Sequence, residues 1–384
     1  MNNFSYCNPT RIVFGKDSIA ELGKLIPASE RILMTYGGGS IRNNGVYDQV
    51  MAALAGRAVV EFGGIQPNPL YETCMEAVKV VQREKISFLL AVGGGSVLDA
   101  TKFIAAAAEF DAGDPWDILA KGAVITSALP LGSVLTLPAT GSESNGNSVI
   151  SRKSTQEKLA FGSEKVYPRF SILDPAVTIS LPAKQVRNGI VDAFVHVFEQ
   201  YATYPADGPL QDRQAEAILA TLVEEGPKAM QNPQDYTVRA NLVWAATQAL
   251  NGLIACGVPQ DWTTHLIGHE LTAFYGLDHA ESLAIVGPAL FRHDLARKQA
   301  KLAQYARRVW GVSEKSDSRA AEIGIGKTED FYHSLGMKTK LVDYGIAAAD
   351  AAKKVGERFN ARGSKFGEHK DIDAAVAAKI LLAC

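Results

Sequence analysis

The 384-residue sequence is short of several things, and each shortage excludes a class of protein. Cysteine is scarce. Cys7, Cys74, Cys256 and Cys384 stand far apart without a CxxC pair, which argues against a disulfide framework and against thiolate metal ligands. Reduced thiols in a cytoplasmic protein are expected. No apolar run reaches the ~18 residues that suggest a membrane span. The opening Met1-Asn2-Asn3-Phe4-Ser5 lacks the charged head and apolar stretch of a signal peptide. Neither sign of charge dominates, with 39 Lys and Arg against 41 Asp and Glu, so no basic surface is expected for nucleic acid. What remains is a chain long enough for two or three domains and ample for a large hydrophobic core.

Short apolar runs alternate with helical patterns in the first half. Arg31–Tyr36, Ala58–Phe62, Ile86–Val92 and Val134–Leu137 read as strands; Thr73–Arg83 and the stretch from Ser96 to Ala108 read as helices. Strand, helix and strand in succession imply a parallel sheet with crossovers. Beyond Leu181-Pro182 the periodicity is helical, over Asn188–Tyr201, Leu210–Glu225, Val238–Leu253, Asp261–Phe274 and Asp371–Leu382. The expected fold is α/β over residues 1–182, a Rossmann-like dinucleotide-binding domain, followed by an all-helical domain over 183–384.

Gly93-Gly94-Gly95-Ser96 follows a strand and opens a helix. Glycine lets backbone approach a phosphate closely, and a helix start favours an anion. Ser96 and Asp99 have the spacing of a capping box. The sequence is not GxGxxG, so a plain strand-to-helix turn is the competing reading. A second loop, Gly37-Gly38-Gly39-Ser40, also ends a strand, and two such loops suit a ligand with several phosphates. No carboxylate stands at the end of Arg31–Tyr36 to take a ribose hydroxyl. A 2′-phosphate would instead meet N–H groups, Ser40 and Arg42, which favours NADP(H); Glu61 taking the ribose would favour NAD.

Only seven histidines exist, and four lie between residues 196 and 279. Asp192 and His196 are four apart on one helical face, as are His265 and His269; His279 follows ten residues later. Each pair alone is commonly a helix contact. Together they can supply imidazoles and a carboxylate to one divalent ion, Zn²⁺ or Fe²⁺, in a catalytic or a closed structural site.

These residues resemble the iron-containing (group III) alcohol dehydrogenase family across the whole chain. Pro9-Thr10-Arg11-Ile12-Val13-Phe14-Gly15 is similar to its opening strand and Gly64–Pro69 (GIQPNP) to its Asn-Pro turn. Gly93–Lys102 (GGGSVLDATK) is similar to its pyrophosphate loop, and Thr136–Glu143 (TLPATGSE) to its nicotinamide-side signature. Asp192-Ala193-Phe194-Val195-His196 with His265, His269 and His279 resembles its metal motif. Asp278 and Ala280 depart from the usual neighbours of the last ligand. Gly37–Ser40 resembles the NADP-preferring aldehyde reductase and butanol dehydrogenase branch.

The resemblance implies metal ligands at Asp192, His196, His265 and His279, with His269 a non-ligand beside the nicotinamide and a candidate proton relay. It implies a cofactor site formed by Gly37, Gly38, Gly39, Ser40, Asn68, Gly93, Gly94, Gly95, Ser96, Asp99, Thr136, Leu137, Thr140, Asn145, Lys158 and Leu181. It also implies a homodimer and hydride transfer between NADP(H) and an alcohol or aldehyde, with the metal as Lewis acid. Glycerol dehydrogenase-like and dehydroquinate synthase-like chemistry, and a non-enzymatic dinucleotide sensor with a structural metal, are the alternatives.

Overall fold

Four- to seven-residue, largely aliphatic runs bounded by polar turns give the strands, and they build one parallel sheet. In the computed structural model, which describes residues 1–384, its strands are β1 (Arg11–Phe14), β2 (Arg31–Tyr36), β3 (Ala58–Phe62), β4 (Phe88–Gly94), β5 (Leu131–Leu137) and, after an antiparallel hairpin of β6 (Asn147–Arg152) and β7 (Glu157–Gly162), β8 (Phe170–Leu173). The spatial order is β1-β8-β5-β4-β2-β3, every pairing parallel. Helices α1 (Leu22–Leu25), α2 (Ser40–Asn43), α3 (Val46–Ala53), α4 (Tyr71–Arg83), α5 (Gly95–Ala107) and α6 (Asp117–Ala120) accompany it.

Alternate residues feed the two faces of this sheet. Leu33, Leu89 and Ala91 pack with Ala77, Val81 and Phe103 of α4 and α5 on one side. Ile32, Met34, Leu90 and Val92 pack with Ile19, Val46 and Val50 on the other. The strands 31–36 and 58–62 lie where the sequence pattern puts them, and β4 begins two residues later than expected. The β6–β7 hairpin has no sequence forecast. Its one positive-φ turn residue is Gln156 (φ 52°), so the usual Gly or Asn signal is missing.

Beyond Pro182 the chain is helical: α7 (Ala183–Tyr201), α8 (Pro209–Gln231), α9 (Tyr236–Ala249), α10 (Thr263–Tyr275), α11 (His279–His293), α12 (Leu295–Trp310), α13 (Asp317–Ser334), α14 (Ala348–Arg362) and α15 (Ala374–Leu382). Ile267, Leu271, Ile285, Leu290, Val355, Phe359 and Ile380 form one of its cores.

By its contacts the chain divides into two units: Cys7–Pro182 with Pro233–Thr247, and Met1–Tyr6 with Ala183–Asn232 and Gln248–Cys384. The split is therefore not the single cut at residue 182 that the periodicity suggests. Most of α9 belongs to the α/β unit. Val243 enters a core beneath the sheet, Thr247 Oγ1 donates to Glu143 Oε1 at 2.6 Å, and Trp244 meets Phe14 edge-on at 6.1 Å. Helical periodicity marks α9 as a helix but carries no information on which core receives its apolar face.

Candidate metal centre and dinucleotide site

In the α/β unit the two glycine loops end neighbouring strands. Tyr36 of β2 pairs with Val92 of β4, so Gly37 and Gly93 start side by side. The strand order turns at this pair: β3 lies beyond β2, while β5, β8 and β1 lie beyond β4. Such a switch point, at the carboxyl ends of the strands, is where open α/β sheets take ligands.

The loop after β4 is packed too tightly for side chains. A Cβ on Gly94 would come within 2.9 Å of Leu137 Cβ, and one on Gly95 would strike the Thr140 side chain. The expected Ser96–Asp99 capping box does not form. The helix begins at Gly95 with Gly94 as its extended N-cap, which puts Ser96 inside it. Asp99 is buried and engaged elsewhere, accepting Ser142 Oγ–H at 2.7 Å and the Val149 N–H at 3.0 Å. Lys102, one turn on, is fully buried and donates to Ser142 Oγ (2.9 Å), Asn145 Oδ1 (3.0 Å) and the Asn147 carbonyl (2.8 Å). Burial pushes its pKa down to about 8 against the pull of Asp99 and Glu143. Asn145 Nδ2 in turn donates to the Gly141 carbonyl. This network ties the loop between β5 and β6 to α5. Sequence reasoning passed over Lys102 and Ser142, although both stand in quoted motifs.

Thr136 and Leu137 end β5, and Thr140 Oγ1 accepts the Ser142 N–H at 3.2 Å. Lys158 on β7 reaches Asn68, whose backbone is left-handed at φ 53°. Leu181 closes the short helical turn Pro175–Ser180, bonding Thr178 through its N–H. At Gly38 and Gly39 a Cβ would meet nothing within 4 Å, so that loop borders open space, and Gly39 is left-handed (φ 96°). Ser40 begins α2. Arg42 stacks on Tyr47 at 4.1 Å and pairs with Glu61, which also accepts the hydroxyls of Tyr36 and Tyr47.

In the helical unit Asp192 and His196 point from one face of α7 and are each 4% exposed. His265 and His269 stand on α10. His279 opens α11, whose first turn is fixed when Glu281 accepts the Asp278 N–H at 3.0 Å; Asp278 in turn accepts from Asn188 and Lys184. Donor atoms of Asp192, His265 and His279 all lie within 4.8 Å of one another. His196 adjoins this trio rather than entering it. Its Nδ1 is 3.5 Å from Asp192 Oδ1 and its ring centre 4.6 Å from that of His265. His269 stands beside the group, its ring 5.3 Å from His279 and 6.3 Å from His265.

The donor chemistry suits a divalent cation. Burial holds the His196 pKa down to about 4, against the nearby Asp192 charge, so its imidazole is neutral and able to ligate near pH 7. Its buried Nδ1 has no hydrogen-bond partner, the state expected of a nitrogen meant for something other than protein. One carboxylate and neutral imidazoles match zinc or ferrous iron.

One residue of this centre escaped sequence reasoning. Glu199, wholly buried on α7, accepts the N–H groups of Thr264 and His265 and bonds His265 Nδ1. Burial and the charge of Asp261 push its carboxyl up, while those donors pull it back. The signal was present: Asp192, His196 and Glu199 stand at i, i+4 and i+7 of one helix face.

The pattern of the iron-containing alcohol dehydrogenases matches residues 9–175, and that of the C-terminal region of Fe-containing alcohol dehydrogenases matches residues 187–374. The NADPH-dependent aldehyde reductase YqhD of Escherichia coli is 56% identical over 382 residues, 99% of each chain. Its crystal structure superposes with a TM-score of 0.97 over 99% of this chain and 98% of that one. The NADP-dependent alcohol dehydrogenase 3 of Entamoeba histolytica is 44% identical, covering 99% of this chain and 98% of its own. A probable NADH-dependent butanol dehydrogenase 1 of Bacillus subtilis is 42% identical over the full length of both chains. With both halves matched and more than half of all positions shared with one relative, the chain belongs to the iron-containing alcohol dehydrogenase family.

Proposed function

We propose that this protein is a metal-dependent aldehyde reductase and alcohol dehydrogenase that uses NADP(H). The trio of buried Asp192 and His265 with half-buried His279, drawn from three helices with donor atoms within 4.8 Å, carries the reading. His196, neutral and adjoining Asp192, is assigned as the fourth ligand. A divalent cation and a nicotinamide dinucleotide, when bound, supply Lewis-acid polarisation of a carbonyl and a hydride. Asp192 contributes the one negative charge that the imidazoles lack. His269, beside the ligands without joining them, holds or passes a proton at an imidazole nitrogen.

For the cofactor, Gly93–Ser96 with Asp99, Thr140 and Asn145 form the pyrophosphate end, and Thr136, Leu137, Lys158, Asn68 and Leu181 complete the site. Gly37, Gly38, Gly39 and Ser40 receive the 2′-phosphate, with Arg42 nearby as the cation. Two observations favour NADP over NAD: the loop after β2 carries no carboxylate, and Glu61 is occupied by Arg42 and two tyrosine hydroxyls. The metal is zinc or iron. Four free cysteines agree with a cytoplasmic location. A homodimer is part of the proposal; β1 is an open sheet edge with Phe14 and Trp244 exposed beside it.

The test is a panel of short aldehydes and alcohols with NADPH and NADH, run before and after chelation, with metal content measured on the same sample. NADPH oxidation that chelation abolishes and zinc or iron restores is the expected result. Dinucleotide binding without turnover on any member of the panel would leave only a binding protein.

A further inference from the structure

We propose that Glu199 is a positioning residue of the metal centre: it takes the Nδ1–H of His265, so that Nε2 is the nitrogen offered to the cation, and it locks the α10 helix to α7. The inference rests on the reading of Asp192, His265 and His279 as ligands.

Glu199 lies on the face of α7 that carries Asp192 and His196, and none of it is exposed. A carboxylate removed from water must be met by donors or neighbouring charge. Here the donors are the N–H groups of Thr264 and His265 (the latter at 3.3 Å), and His265 Nδ1 lies in hydrogen-bond contact, the position to which the proposal assigns the ring proton. All belong to the first turn of α10.

That turn has a deficit. Its N-cap residue is Trp262, which is left-handed (φ 63°) and makes no side-chain capping bond; its indole N–H donates to Gln260 at 2.6 Å instead. The N–H groups that a Ser or Asp cap would satisfy are taken by Glu199 from another helix. Capping alone explains two of the three bonds. The third, to the imidazole, is not needed to start a helix. It sets the tautomer, because a ring whose Nδ1–H is held by a carboxylate keeps its lone pair on Nε2. It also sets the ring's direction and raises its basicity, which is what an outer carboxylate does for a ligating histidine. One buried side chain thus couples the helix of Asp192 and His196 to the helix of His265 and His269.

The experiment uses the full-length protein stripped of metal, with Zn²⁺ alone as the probe. Zinc affinity is measured by competition with a chromophoric chelator for wild type, Glu199→Gln and Glu199→Ala, and melting temperature is measured on the metal-free proteins. In Glu199→Gln an amide oxygen still accepts one bond, so the variant retains a fold while losing the charge. Its zinc affinity is expected to fall by about 10- to 100-fold, with a smaller loss of melting temperature than Glu199→Ala. Wild-type zinc affinity in Glu199→Gln, with only a lower melting temperature, would reduce Glu199 to a helix cap and overturn the inference. Failure of the wild type itself to take up zinc or ferrous iron would overturn the reading of the ligands along with it; the two failures are therefore distinguishable.

Discussion

Lys158 Nζ donates to Asn68 Oδ1 across 2.9 Å, joining the β6–β7 hairpin to the Asn-Pro turn from positions 90 residues apart. Both residues were assigned to the cofactor site separately, from different motifs. Lys158 is 8% exposed, so the ammonium is held rather than waving in solvent. Lys158→Met is expected to raise the KM for NADPH about tenfold, equivalent to ~1.4 kcal/mol, with Asn68→Ala smaller in effect and the double variant less than additive. Steady-state kinetics on the four proteins checks this; additive effects would dissociate the pair.

Removing a ligand should uncouple the two sites. Asp192→Ala and His265→Ala are each expected to lose bound metal and turnover while retaining NADPH affinity within about threefold, since a ΔΔG below ~0.7 kcal/mol is what sites without shared partners produce. Elemental analysis and fluorescence titration of NADPH measure the two quantities independently. Normal turnover in either metal-free variant would remove the cation from the mechanism.

The open space beside Gly38 and Gly39 makes cofactor choice adjustable. Gly39→Asp would put a carboxylate where the 2′-phosphate is expected, at the cost of a left-handed backbone that aspartate tolerates. The ratio of kcat/KM for NADPH over NADH is expected to fall at least about tenfold. An unchanged ratio would place the 2′-phosphate elsewhere.

Acid stability should depend on a buried pair in the helical unit. Lys298 Nζ lies 2.7 Å from Asp261 Oδ2 and 3.2 Å from Glu368 Oε1, with Asp294 also contributing charge nearby. Burial pushes Asp261 up, but the Lys298 ammonium and the Thr263 donors outweigh it and hold Asp261 below its ordinary 3.8. For Lys298 burial pulls down, and the carboxylates win, raising it above 10.5. The sign follows for each. The unfolded chain takes up the Asp261 proton first, so that stability is present above pH 3.8 and lost as the pH falls through the lower folded value. The Lys298 contribution is present below 10.5 and lost above it. Asp261→Asn removes one of the two carboxylates paired with the buried ammonium, leaves Glu368 in place, and is expected to cost about 1.5–3 kcal/mol at pH 7. The gap in melting temperature between variant and wild type should narrow only as the pH falls below 3.8; a gap independent of pH would assign the loss to packing.

Much of the site was legible because local spacing encodes it. Asp192 and His196 share a face through the 3.6-residue period, and the glycine loops announce themselves where a strand meets a helix. The capping role given to Ser96 and Asp99 was not borne out: local spacing can suggest a cap, but Ser142 and Val149, from a distant loop, compete for Asp99. Glu199 was missed for a related reason. A carboxylate one turn beyond His196 is ordinary on a helix surface, and only the docking of α10, with no cap of its own, makes it a buried acceptor.

Sequence alone determined what depends on neighbours along the chain: the aliphatic period of the strands, the tight glycine turns, the helical face shared by a carboxylate and an imidazole, and the donor chemistry offered to a cation. Tertiary structure decided what depends on which surfaces meet. It brought His279 to Asp192, turned Glu199 inward against His265, gave α9 to the α/β unit and buried Lys102 under the β5–β6 loop. The physical reason is that burial and long-range hydrogen bonding are properties of packed pairs, and a pair separated by tens of residues leaves no periodic trace in either partner.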